Sequence, residues 1–282
     1  MGTTPANLQR HPPNMSATLV IVAIAGAVLA IAWVLGHWWY VHRRHPQAIR
    51  QQARDLWART GLHWSPPEYL TAQLLISLAI TIAGIAVFAL LADSVSDKAA
   101  ITNLDIRFDN ALHAHASPVG VTIAKAVSFI GSPAAMAVLM VAGAIYLLVR
   151  REMLLLYGWL VAFIGGGALD WALKTIFQRD RPSFPDAFVH VGGYSFPSGH
   201  SMGSLIGYGM LAYVIAHSTR GRRIDVVVAV CAGLLVLAIG FSRLYLGAHY
   251  LSDVLAGFAA GMVWLAANII ALEVSLPKPA VT

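Results

Sequence analysis

The chain alternates long apolar runs with short polar segments. Seven runs are long enough, or nearly so, to cross a hydrocarbon core that takes about 20 helical residues: residues 17–36, 71–91, 133–149, 153–174, 200–217, 225–241 and 250–273. The first is long for the core of a signal peptide, has only Arg10 before it, and is followed by His37-Trp38-Trp39-Tyr40 rather than by small residues suited to cleavage. It is expected to be a retained span, with Trp38, Trp39 and Tyr40 as interfacial anchors and Arg43 and Arg44 just beyond. Between the first two runs, Ile49, Ala53, Leu56 and Trp57 recur at helical spacing against Arg50, Arg54 and Arg59, the pattern of a short amphipathic helix lying on a membrane surface.

Composition agrees with this pattern. Of the 282 residues 58% are hydrophobic and only 11% charged, against about 25% charged in soluble domains. The pattern is that of an all-α, polytopic membrane bundle, with no internal repeat. Cys231 is the one cysteine. An intrachain disulfide and a cysteine-built zinc or iron–sulfur site are therefore excluded.

The net charge of +6 matters less than where the charges fall. Arg43, Arg44, Arg50, Arg54 and Arg59 lie in the first connection, Arg150 and Arg151 in the third, and Arg220, Arg222 and Arg223 in the fifth. Basic residues mark cytoplasmic loops, and these connections alternate as one topology requires. The second connection, with Asp93, Asp97, Asp105 and Asp109 against Lys98 and Arg107, is expected outside. The N-terminus is then outside and the C-terminus inside. Residues 175–199 and 242–249 also fall outside, yet they carry cations against the rule. A bound anionic substrate is a natural reason.

The unusual polar residues lie in three blocks. Lys174 to Arg181-Pro182 ends the fourth run, Pro197-Ser198-Gly199-His200 opens the fifth, and Ser242-Arg243 to His249 and Asp253 joins the sixth to the seventh. The topology brings all three to one membrane face. Lys174, Arg181 and Arg243 supply fixed positive charge, the arginines in a planar fork that matches phosphate oxygens. Arg181 precedes proline and is biased out of helix, so the fourth helix should end between Lys174 and Arg181. Ser198 can cap the next helix, Gly199 allows close approach to its backbone, and the free N–H groups of the first turn favour an anion. His249 and Asp253 share a helix face at i, i+4 spacing, so Asp253 could fix the tautomer of His249 and expose Nε2 as nucleophile or base. With His200 delivered from another helix, the set suits phosphoryl transfer: one histidine attacks phosphorus, the other protonates the leaving oxygen, and the cations hold the remaining oxygens.

These residues and spacings resemble the signature of the type 2 phosphatidic acid phosphatase superfamily, K-x6-R-P, P-S-G-H and S-R-x5-H-x3-D, with every signature position filled. The resemblance covers about residues 71–273. It implies a six-helix core, with the first span as an addition outside it. It also implies that Lys174, Arg181 and Arg243 bind phosphate with Ser198 and the Gly199 backbone, that His200 is the general acid, and that His249 forms a phosphohistidine oriented by Asp253. It implies no metal and no cofactor. Residues 1–70 are expected to form the extra span and its basic segment, 71–273 the phosphatase domain, and 274–282 a short cytoplasmic tail.

Other polar residues have plainer readings. Asp170 should pair with Lys174 inside the bundle. Arg179 and Asp180 are expected to solvate the loop, with contact to substrate as the alternative. His113 and His115 are a weak metal motif, and His190, Gly192, Gly193 and Tyr194 should shape access to the site.

The expected function is hydrolysis of a phosphate monoester or diphosphate of a lipid, of the phosphatidic acid, phosphatidylglycerol phosphate, undecaprenyl diphosphate or lipid A type. The expected partners are that lipid and the bilayer, with no nucleic acid; the expected place is a bacterial inner membrane with a periplasmic site. A lipid phosphotransferase using the same intermediate and a non-enzymatic lipid-binding protein are the alternatives. A vanadium haloperoxidase, which shares the cradle, is disfavoured by the seven spans.

Overall fold

The computed structural model describes residues 66–96, 100–219 and 222–275. The expected span at 17–36, the basic amphipathic stretch at 49–59 and the chain beyond 275 lie outside them. The described residues form eight helices: α1 (Pro66–Ser96), α2 (Ala100–Ala114), α3 (Pro118–Ile130), α4 (Pro133–Val149), α5 (Met153–Phe177), α6 (Gly199–Thr219), α7 (Arg222–Tyr245) and α8 (Leu251–Ser275). No strand occurs among them. Four segments are long and apolar enough to cross a membrane by length and composition: 118–149, 153–177, 224–245 and 251–273.

The stretch 93–132 departs from the sequence expectation of a loop. It folds as α2 and α3, and the third apolar segment begins at Pro118 rather than at Pro133. Two Ser-Pro pairs set these starts. Ser117 and Ser132 are extended and accept hydrogen bonds from the N–H groups of Gly120 (3.1 Å) and Ala135 (3.2 Å), while Pro118 and Pro133 fill first-turn positions that need no donor. Gly131 ends α3, and the chain re-enters helix two residues later. At the other end of α4, Arg151 adopts a left-handed φ of 60° and turns the chain into α5.

Helix α6 sits at the centre of the bundle, packed on α4, α5, α7 and α8. Its many glycines and serines make it less apolar than the spans around it, and small residues let neighbouring backbones approach. A Cβ on Gly257 of α8 would come within 2.6 Å of the Ser198 carbonyl, so the start of α6 meets α8 at backbone distance. Met202, Ile206, Met210 and Val214 bury the inner face. Trp159 and Trp264 are anchored by their indole N–H groups, which donate to the carbonyls of Met140 (2.8 Å) and Ala162 (3.0 Å). Large apolar side chains such as Leu90, Val119, Val138, Trp171 and Leu234 point outward, as they would toward lipid tails.

One end of the bundle gathers the C-terminal ends of α5 and α7 and the N-terminal ends of α6 and α8. The Arg150–Arg151 turn, between α4 and α5, lies at the opposite end of α5. An aromatic cluster braces the first end: Phe177 at the close of α5 meets Phe196 at 4.7 Å between ring centres, and Phe88 of α1 meets Phe196 at 5.7 Å. It holds the chain entering Pro197-Ser198 against the end of α5.

Candidate active site

Helix α5 ends as its sequence requires. Gln178 takes a left-handed φ of 45° and its N–H donates to the Lys174 carbonyl at 3.0 Å. Beyond it the chain runs without helix to residue 198 and crosses over the bundle end. Arg181 is tied into this segment by three backbone carbonyls: Nε donates to Gly193 (3.0 Å), Nη2 to Tyr194 (3.0 Å) and Nη1 to Ala248 (2.8 Å). Nη1 also lies 3.1 Å from Nε2 of His249. A guanidinium only donates, so Nε2 is the acceptor and the imidazole proton resides on Nδ1. That nitrogen faces Asp253, with Oδ2 at 3.5 Å, an ion-pair separation rather than a well-made hydrogen bond.

Lys174 extends from α5 and donates to the carbonyl of Pro197, with Asp170 one helical turn back at 3.2 Å. Ser198 is fully buried. Its carbonyl accepts from Met202 in the first turn of α6, its N–H donates to the Asp253 carbonyl at 2.9 Å, and its hydroxyl accepts from Ser201 at 3.1 Å. Gly199 leaves room on the side of Asp170, since a Cβ there would meet Asp170 Oδ2 at 2.8 Å. Arg243 is buried at the end of α7; Nη1 donates to Ser128 of α3 at 2.5 Å, while Nε has no protein partner. His200 lies within electrostatic reach of Arg243, His249, Arg181 and Lys174. The structure thus brings Lys174, Arg181, Ser198, Gly199, His200, Arg243, His249 and Asp253 to one end of the bundle, from four helices and two connections.

Asp253 is wholly buried. Its Oδ1 receives Arg179 Nη1 at 2.5 Å and its Oδ2 receives the Tyr250 N–H at 2.9 Å. Arg179 does not solvate the loop, as the sequence suggests. Its guanidinium bridges Asp253 and Asp105 (2.9 Å), donates to Ser252 Oγ at 2.7 Å, and lies over the Tyr250 ring at 4.2 Å. Burial works against its charge, but Asp253 and Asp105 together hold it protonated above the ordinary arginine range. Asp105 also accepts from the Ser252 N–H at 3.0 Å and from the Ser252 hydroxyl. Asp105 and Asp109, read in the sequence as external loop charge, are both buried on α2 against this network. Their i, i+4 spacing in a chain so poor in charge was the available signal. Asp109 is pushed up to about 7, chiefly by burial.

His113 and His115 diverge. His113 stacks between Phe184 (4.0 Å) and Phe188 (4.4 Å) with Nε2 2.9 Å from Asp186, and His115 Nδ1 donates to the Ala111 carbonyl at 2.8 Å. No group of three or more His, Cys, Asp or Glu placed to hold a metal ion occurs among the described residues. Beside Arg181 opens a cavity of about 420 Å³, walled by Phe184, His190, Gly192 and Gly247 among others. Gly193 and Tyr194 contribute the carbonyls that hold Arg181.

Residues 151–273 match the PAP2 superfamily. The chain is 38% identical over 96 residues to phosphatidylglycerophosphatase B of Bacillus subtilis, covering 34% of this chain and 47% of that protein. It is 36% identical over 88 residues to decaprenylphosphoryl-5-phosphoribose phosphatase of Mycolicibacterium smegmatis, covering 30% of this chain and 42% of that one. The chain therefore spans about half the length of these curated relatives. Its fold resembles the crystal structure of a transmembrane PAP2-type phosphatidylglycerolphosphate phosphatase from Bacillus subtilis, with a TM-score of 0.60 and 27% identity over 66% of this chain and 92% of that one. Spans, fold and match agree: this is an integral membrane protein whose residues 151–273 are similar to the PAP2 superfamily, the family its three polar blocks resemble.

Proposed function

We propose that this protein is a lipid phosphatase, hydrolysing a phosphate monoester or diphosphate of a lipid through a phosphohistidine on His249. The observation that carries the reading is the pose of His249: Nδ1 toward the buried Asp253, Nε2 toward the guanidinium of Arg181. A neutral imidazole in that tautomer offers its lone pair where a cation would hold a phosphate.

The reaction then runs in two displacements. Nε2 of His249 attacks phosphorus; the bond to the lipid oxygen breaks, and His200 gives that oxygen a proton. Asp253 stabilises the positive charge that develops on His249. Water next attacks the phosphohistidine, His200 takes its proton, and phosphate leaves. Arg181, Arg243 and Lys174 hold the equatorial oxygens, joined by the N–H groups at the start of α6. Arg243 Nε, buried without a protein partner, is a donor free for that purpose.

The apolar outer faces of the bundle and the names of the two curated relatives support a lipid as the leaving group. The basic Arg150–Arg151 turn at the far end of the bundle supports a site on the non-cytoplasmic face, periplasmic in a bacterial inner membrane. The same reading divides the chain into an N-terminal span with its basic segment (1–70), the phosphatase domain (71–273) and a short tail (274–282).

The test is release of inorganic phosphate by purified protein from a panel of phospholipid monophosphates and prenyl diphosphates, in EDTA, beside His249→Ala. Release by wild type alone supports the reading. Transfer of labelled phosphate to an added acceptor lipid instead of water would replace it with a phosphotransferase.

A further inference from the structure

We propose that Arg179, balanced by Asp105, is a positioning residue that sets the charge Asp253 presents to His249; this rests on the reading of His249 as nucleophile. Arg179 stands outside the signature, two residues before the phosphate-binding Arg181, and points away from it into the network under α8. One guanidinium contacts two carboxylates, Asp253 at 2.5 Å and Asp105 at 2.9 Å. The three groups sum to one negative charge.

That sum suits the chemistry. A carboxylate as buried as Asp253 holds its charge poorly when unpaired. A private ion pair would have the opposite fault, since a full positive charge on Oδ1 would cancel the field that must stabilise an imidazolium. Sharing Arg179 with Asp105 avoids both. Asp253 stays ionised, and the surplus negative charge remains available at Oδ2, the oxygen that faces His249. The arrangement is also rigid. The Tyr250 N–H holds Oδ2, Ser252 ties Asp105 to the first turn of α8 through both its N–H and its hydroxyl, and the Tyr250 ring stacks under the guanidinium.

The other charges around the pair come from every neighbouring element. Lys174 of α5, Arg181 of the crossing segment, His200 of α6 and Arg243 of α7 face it from the phosphate side, and Asp109 of α2 from behind. Of all these cations only Arg179 contacts the Asp253 carboxylate directly, among the described residues.

The experiment measures kcat, KM and product inhibition by inorganic phosphate for the full chain from about pH 2.5 to about pH 9, so that a limb below 4 is seen, in wild type, Arg179→Gln, Arg179→Lys and Asp105→Asn, with His249→Ala as blank. Arg179→Gln leaves a buried carboxylate that protonates more readily, or, while it stays ionised, a His249 that does. Either way the acid limb of kcat/KM moves up by about one pH unit or more. The expected loss in kcat is about 10²-fold, the scale of a misplaced reacting group, with KM and phosphate inhibition near wild type. Arg179→Lys restores the limb and part of kcat. Asp105→Asn puts the whole guanidinium charge on Asp253 and moves the limb the other way, to lower pH.

An unmoved limb in both Arg179→Gln and Asp105→Asn overturns the proposal and leaves a structural ion pair. Weakened phosphate inhibition with an unmoved limb also overturns it and makes Arg179 a substrate ligand. If Arg179→Gln does not fold, the direction of the Asp105→Asn shift decides. No phosphate release by wild type, or activity in His249→Ala, overturns the underlying function and this proposal with it; a normal wild type beside an indifferent Arg179→Gln overturns this proposal alone.

Discussion

Nη1 of Arg181 lies 3.1 Å from Nε2 of His249, and this contact assigns the imidazole tautomer without sight of a hydrogen. The donor-only guanidinium requires a lone pair on Nε2, leaving the proton on Nδ1 toward Asp253. In the proposed reaction, removing the ring removes the atom that bonds to phosphorus. His249→Ala should lower kcat by roughly 10⁴-fold or more, the scale seen when a nucleophile is deleted. Phosphate release from a short-chain phosphatidic acid checks this, and activity near wild type would refute a covalent route through His249.

Acid pH should act on catalysis and on stability through the same ring. Burial draws His249 down from 6.5 to about 4; Asp253 opposes the shift, and Arg181 and Arg243 add to it. Since the nucleophile must be neutral, the acid limb of kcat/KM is expected near 4 rather than in the ordinary histidine range. The folded-state pKa lies below the unfolded one, so between about 6.5 and about 4 the unfolded chain binds more protons. Stability from this group is complete above that window and is lost as pH falls through it. Asp109 has the opposite sign. Its carboxyl is raised from 3.8 to about 7 by burial, so it costs stability as pH rises through that interval. Asp109→Asn should therefore raise the thermal midpoint in detergent more at pH 8 than at pH 5. Equal gains at both would show that Asp109 is not a buried titrating group.

Gly199 can be tested by what crowds it. An alanine Cβ there would meet Asp170 Oδ2 at 2.8 Å, and Asp170 is the partner of Lys174. Gly199→Ala should displace that pair and lower kcat/KM about tenfold or more. If the clash is the cause, adding Asp170→Ala should recover part of the loss. A double variant no better than Gly199→Ala would mean that the glycine makes room for substrate instead, and steady-state kinetics on the three variants separates the cases.

The site was legible in the sequence where charge was scarce. In a chain that is 11% charged, Lys174, Arg181, Arg243 and Asp253 stand out at helix ends, and a consistent topology puts those ends together. The helices α4 to α8 were legible from apolar length, within a few residues, although α6 is not apolar enough to count among the four candidate spans. The 93–132 stretch was not. Alone, α2 and α3 are too short to read as spans, although the Ser117-Pro118 and Ser132-Pro133 pairs were helix-start signals. Asp105 read as external charge because burial of a carboxylate depends on its partner, and that partner, Arg179, lies 74 residues away. Nothing local separates Arg179 from Arg181. Only the folded chain shows that Arg181 meets Nε2 of His249 and Arg179 the carboxylate of Asp253 behind it.

The segment crossing the site is fastened at one further point, which yields a prediction about substrate choice. His113 of α2 lies between the rings of Phe184 and Phe188, nearly parallel to the first at 5°, with Nε2 on Asp186 at 2.9 Å. Three residues of the segment thus close on one side chain. Phe184 also walls the cavity beside Arg181, whereas Arg181 keeps its own carbonyl contacts without the clasp. Loosening the clasp should therefore disturb the wall more than the phosphate cradle. His113→Ala is expected to raise KM about tenfold with kcat within about threefold, and to shift the preference between a phospholipid monophosphate and a prenyl diphosphate. Asp186→Asn should do much less, because Asp186 is exposed and the ring stacking survives its loss. Michaelis parameters for both lipids decide the matter: a collapse of kcat at unchanged KM would mean that the clasp positions the reacting groups rather than the wall around the substrate.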